Sequence, residues 1–100
     1  MIVRLDVDGA LVTDADDTGV VHVETDLDAD GLRTALLRTG TGALQDPATA
    51  VLDVAVLRSR ATLVATAPDW ADRFDAMIAG AGDRLTDDGL GLRVPVERTA

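Results

Sequence analysis

The chain has 100 residues, 47% of them hydrophobic and 2% aromatic, with a formal net charge of −9 at pH 7. That length fits one small domain, 1–100, with a modest margin of buried apolar surface. The charge argues against nucleic acid as a partner, because phosphate contacts need a basic surface.

Lys, Asn, Tyr and Cys are absent, and His22, Ser59, Trp70 and Phe74 are each the only residue of their type. Without Cys there is no disulfide, thiolate nucleophile or zinc–thiolate site; without Lys there is no Schiff base or P-loop lysine. Residues with AT-rich codons are the scarce ones, so a GC-rich bacterial genome accounts for the usage, ahead of adaptation to high salt. Residues 1–30 hold nine acids against Arg4 alone, whereas 31–100 hold nine acids against eight arginines. No basic segment leads into a long apolar run, and nothing approaches a span of about 20 apolar residues. The expectation is a cytoplasmic protein without a membrane partner.

Ile2 to Val7 alternate, with Val3, Leu5 and Val7 on one face and Arg4 and Asp6 on the other, the period of a half-buried strand. Asp8-Gly9 suits a two-residue turn. Ala10 to Thr13 then returns antiparallel, with Ala10 opposite Val7 and Val12 opposite Leu5. The same stretch, LDVDGALVTD, resembles the first motif of the haloacid-dehalogenase superfamily. That resemblance implies Asp6 as nucleophile and Asp8 as general acid/base, with magnesium, in phosphoryl transfer. It covers about ten residues. Arg4 interrupts the strand, no lysine exists for the family's later motif, and the order of elements differs, so the stretch reads as a hairpin.

Asp14 to Gly19 (DADDTG) is a second loop, and Val20 to Thr25 alternates again, with His22 and Glu24 on the outer face. The first quarter thus reads as a three-stranded meander. His22 reads as an exposed strand residue, with a general base or lone ligand as its functional alternative. In TDLDADGLRTALLRTG, Leu32, Ala35 and Leu36 recur at helical spacing, with Asp28 as N-cap and Gly40 past the end. The spacing predicts a helix at about 29–39.

Asp26, Asp28, Asp30 and Gly31 have the spacing of the first half of an EF-hand loop. The second half is missing, since Leu37 stands where a bidentate Glu belongs and Arg33 where an apolar residue is usual. A looser site for Ca²⁺ or Mg²⁺ would use Asp8, Asp26, Asp28 and Asp30 from one end of the sheet. The alternative is helix capping and a solvated acidic end.

Gly40-Thr41-Gly42 reads as a helix stop plus loop. Asp46-Pro47 fits a helix start, so one helix over 47–61 is expected; the alternative is a strand at 48–52 with Asp53 capping a helix over 54–60. Thr62 to Thr66 fits a strand. Pro68-Asp69-Trp70 opens a helix ending near 79, with Trp70, Phe74, Met77, Ile78 and Ala81 in one stripe. Leu90 to Glu97 is the final strand, placed at a sheet edge by Pro95.

The fold expected is α+β: a small antiparallel sheet, made of the N-terminal meander plus the C-terminal strand, with two or three helices on one face. With few nucleophiles and no complete motif, the leading function is a non-enzymatic accessory or protein-interaction module. Trp70 and Phe74 are either core or an interaction surface, with homodimerisation one outcome. The divalent-metal site is the second reading and the Asp-based phosphohydrolase the third. A Ser59–His22–Asp triad lacks a nucleophile motif. Arg58 and Arg60 read as a solvated face.

Overall fold

In the computed structural model, which describes residues 1–99, the elements are β1 (Ile2–Asp6), β2 (Gly9–Thr13), β3 (His22–Thr25), α1 (Ala29–Thr39), β4 (Gly42–Asp46), β5 (Thr49–Asp53), α2 (Val54–Thr62), α3 (Trp70–Ala79) and β6 (Gly91–Arg98). The class is α+β, with a six-stranded sheet in the order β2-β1-β3-β6-β5-β4. The radius of gyration, 12.6 Å, matches the roughly 13 Å of a folded chain this long.

The sheet is mixed, which corrects the expected antiparallel one. β1, β3 and β6 run parallel at its centre, while β2, β5 and β4 are antiparallel to their neighbours. The meander is corrected too: β3 lies against β1, not β2. The Asp14–Val21 loop passes around Met1, whose ammonium donates to the carbonyls of Asp17 (2.6 Å) and Val20 (2.7 Å). His22 N–H then donates to Met1 O, starting the parallel ladder.

The β1–β2 hairpin turns at Val7-Asp8, one residue earlier than the expected Asp8-Gly9, which shifts the register by two and sets Leu5 opposite Ala10 and Val3 opposite Val12. Asp6 sets this register, as one carboxylate oxygen accepts from Asp8 N–H (2.8 Å) and Gly9 N–H (3.2 Å). A shift of two keeps every side chain on its expected face, except that Val7 becomes a turn residue exposed to solvent.

Helix α1 has the expected bounds. Asp28 accepts from Gly31 N–H at 2.7 Å, and Gly40 takes the left-handed conformation with φ 68°. Gly42 is strand rather than loop, paired with Leu52 of β5, and an added Cβ there would overlap the carbonyl oxygen of Val51.

The single helix over 47–61 is replaced by the β4–β5 hairpin followed by α2. Asp46 accepts from Ala48 N–H (2.8 Å), closing a turn through Pro47; Asp-Pro opens turns as readily as helices. In β5, Ala50 and Leu52 are buried between more exposed neighbours. Asp53 then caps α2, accepting from Val56 N–H. Thr62 ends that helix, and no strand follows it at 62–66.

The final strand is central, not at an edge. Val96 N–H donates to Ala48 O and Thr99 N–H to Thr25 O, so alternate residues of β6 bond to opposite neighbours. Pro95, without an N–H, would donate toward β3, but pairing with β3 begins only at Val96. The proline costs no ladder bond where it stands.

One core cluster joins the helices to one sheet face, through Val3, Leu5, Val12, Val23, Ala50, Leu52, Leu92 and Val94. Trp70 and Phe74 are 4% and 1% exposed, with ring centroids 5.2 Å apart. Their place is the core rather than the surface. Trp70 Nε1–H donates to Ala15 O, fastening the Asp14–Val21 loop to α3. No helix is long and apolar enough to cross a membrane among the described residues.

Candidate metal centre on the open sheet face

The face away from the core cluster carries the alternate residues of the same strands. β1 presents Arg4, β3 presents His22 and Glu24, and β6 presents Arg93 and Glu97. Register builds the site: Arg4 is opposite Glu24 in the β1–β3 pair, and Glu24 is opposite Glu97 in the β3–β6 pair. His22, two residues before Glu24, shares its face because side-chain direction alternates along a strand.

The three parallel strands bring these groups together. His22 Nε2 lies 3.5 Å from Glu24 Oε2 and 3.4 Å from Glu97 Oε2. The three ligand atoms all lie within 4.8 Å of one another, and they are the only such group of three or more His, Cys, Asp or Glu among the described residues. The other oxygen of Glu24 faces Arg4, with NH1 3.8 Å from Oε1. Side-chain exposure is 17% for His22, 29% for Glu24 and 63% for Glu97, so the cluster opens to solvent on the Glu97 side.

These distances can be set beside two chemistries. A good N–H···O bond spans about 2.7–3.2 Å, and neither His22 contact is that short. Zinc with bonds of about 2.0–2.2 Å to imidazole and carboxylate holds neighbouring ligand atoms about 3.4 Å apart in a tetrahedron. The His22 distances are those of two tetrahedral edges. One imidazole with two carboxylates suits zinc and the later first-row metals better than Ca²⁺ or Mg²⁺, which favour oxygen-only shells.

The four aspartates proposed from sequence do stand at one end of the sheet, since Asp8 follows β1 and Asp26 follows the parallel β3. They are otherwise placed apart in role. Asp8 sits on the exposed hairpin turn, Asp26 is exposed, Asp28 caps α1, and Asp30 pairs with Arg33 at 2.8 Å. No three of them meet at ligand spacing among the described residues. Asp6 of the phosphohydrolase-like stretch spends its carboxylate on the turn. Ser59 is exposed on α2, and its neighbours are engaged: Arg58 bonds to Asp75 and Arg60 to Thr39 O.

Two of the three residues were placed together by the sequence, as His22 and Glu24 at i and i+2 on one strand face. Glu97 was not, because its partner strand is decided by a long-range parallel pairing that leaves no local mark. No protein-family model, curated protein or solved structure matches this chain.

Proposed function

We propose that the chain is a divalent-metal-binding protein whose centre is His22, Glu24 and Glu97. The carrying observation is the pair of 3.4 and 3.5 Å distances from one imidazole nitrogen to two carboxylates. The metal favoured is Zn²⁺ or a neighbouring first-row ion. This moves the metal reading from the acidic loops to the sheet face, and from Ca²⁺ or Mg²⁺ to a softer ion.

The test is thermal unfolding followed by Trp70 fluorescence, with Zn²⁺, with Ca²⁺ or Mg²⁺, and with EDTA. A ligand of the folded state adds about 2.7 kcal/mol at a hundredfold excess over its dissociation constant. Zn²⁺ should raise the midpoint in the wild type and leave His22→Gln and Glu97→Gln unmoved. An equal rise in all three proteins, or none in the wild type, would sink the reading.

A second reading, the protein-interaction module, is favoured by the β2 edge. Gly9–Thr13 contains no charge and no proline, pairs with β1 alone, and presents Leu11 at 58% exposure. Unprotected edges of this kind pair with further strands. The partner proposed is a second copy, joined antiparallel through β2. Sedimentation should show concentration-dependent dimers, strengthened by salt that screens the net charge and abolished by Leu11→Lys. A wild type that stays monomeric at high salt and high concentration would dismiss it.

A further inference from the structure

Arg4 stands beside the centre without a firm partner. Arg93, also on this face, donates to Gln45 Oε1 (3.0 Å), Asp83 O (3.0 Å) and Leu85 O (2.9 Å). Arg4, whose side chain is 35% exposed, has only the 3.8 Å approach to Glu24 and no hydrogen bond among the described residues. A guanidinium carries five donors in a planar fork suited to carboxylates and phosphates.

Charge balance points the same way. With neutral His22, two carboxylates offset the two charges of a divalent ion. Glu24, once it is a ligand, no longer neutralises Arg4. The loaded centre and Arg4 together then carry one net positive charge, a local cationic spot on a chain of net charge −9. Three protein ligands also leave the fourth tetrahedral position open, and exposed Glu97 marks the solvent side from which it is reached.

We propose that the loaded centre takes a small oxyanion, a carboxylate or a phosphate-type group, as its fourth ligand, with Arg4 donating to that anion. This rests on the metal reading above. Arg4 is the specificity-determining group: it repels the bare metal and favours the metal–anion pair.

Co²⁺ as a spectroscopic stand-in separates the two claims. Its visible bands report coordination, so the wild type and Arg4→Met are first loaded with Co²⁺ and then titrated with acetate or methylphosphonate. Circular dichroism checks that both proteins are folded. Arg4→Met should bind Co²⁺ at least as tightly as the wild type, because a like charge has gone. Both anions should shift the wild-type bands, and the apparent dissociation constant should rise about tenfold or more in Arg4→Met, as expected for a lost charge-assisted bond. Arg4→Lys should recover part of that loss. If the wild type takes up no Co²⁺ at His22, the metal reading fails and this inference with it. If Co²⁺ binds but neither anion moves the bands, or Arg4→Met responds like the wild type, only the anion claim is overturned. Loss of Co²⁺ uptake in Arg4→Met would also overturn it, by showing that Arg4 merely holds Glu24.

Discussion

Glu24 and Glu97 face each other across the parallel strands β3 and β6, with the imidazole of His22 against both. Like charges directly opposite on neighbouring strands repel, by about 0.2–1 kcal/mol. A cation between them turns that repulsion into attraction. The pair is a local electrostatic conflict in an otherwise consistent fold.

The first prediction uses that change of sign. Glu97→Gln removes one charge of the pair and keeps the side-chain shape. Without metal, its urea midpoint should lie at or above the wild type, by up to about 0.5 kcal/mol. With saturating Zn²⁺ the order should reverse, because only the wild type gains the binding energy. Equal displacement with and without Zn²⁺ would show that Glu97 is no ligand.

The second prediction concerns the two aromatic residues. Phe74 is 1% exposed and packed on Trp70 in an otherwise aliphatic core. Phe74→Ala should cost about 3–5 kcal/mol, a large part of the roughly 5–15 kcal/mol that holds a domain together. Trp70→Phe should cost about 1–3 kcal/mol by leaving the Ala15 carbonyl without its donor. Hydrogen exchange should localise that loss, with amides of the Asp14–Val21 loop exchanging faster while α1 is unchanged. Uniform acceleration in both regions would show that the bond is not a local tether.

Local chemistry was legible where the deciding contacts lie within a few residues. The hairpin followed from alternation before an Asp-Gly pair, and α1 followed from Asp28, its apolar stripe and Gly40. Asp46-Pro47 was ambiguous because the same two residues start helices and turns, and the choice fell to the pairing of β5 with β6. Strand order was the least legible feature. Val20–Thr25 reads identically whether it lies beside β2 or beside β1, and the second is held by long-range bonds, those of the Met1 ammonium to the loop and that of Thr25 Oγ1 to Leu5 O. Glu97 was hidden for the same reason, so only His22 and Glu24 of the three were placed together by the sequence.

The third prediction is a steric one. Gly42 reads as loop punctuation in the sequence, yet it is a strand residue whose added Cβ would overlap Val51 O, a backbone atom that cannot swing aside. Gly42→Ala must therefore separate β4 from β5 locally, at about 2 kcal/mol or more, the upper part of what overpacking usually costs. Gly40→Ala acts differently: open space surrounds that Cβ, and only the left-handed backbone is strained. It should cost about 1 kcal/mol. Denaturant unfolding of the two variants should rank them in that order, and the reverse order would mean that β4 is free to move.

The fourth prediction concerns acid. Asp16 joins the Asp14–Val21 loop to the segment before α3, accepting from Ala67 N–H (3.0 Å), Thr66 Oγ1 (2.7 Å) and Thr66 N–H (3.0 Å). These bonds, Ala67 N–H foremost, hold its carboxyl below the ordinary range. Asp88 is lowered in the same way by the hydroxyl of Thr86 and by Leu90 N–H. A depressed folded pKa means that the unfolded chain takes up a proton first as the pH drops. The stabilisation from Asp16 is thus complete above the unfolded value, about pH 4, and is lost as the pH falls through the lower folded value. Asp16→Asn cannot titrate there, so it should be less stable than the wild type at neutral pH, and the gap should narrow below about pH 4. The variant Asp16→Asn/Asp88→Asn should show a flatter acid limb still. Urea midpoints measured from neutral pH down to about pH 2 check this, and a gap of constant size across the series would show that the Asp16 bonds stabilise the fold independently of its charge.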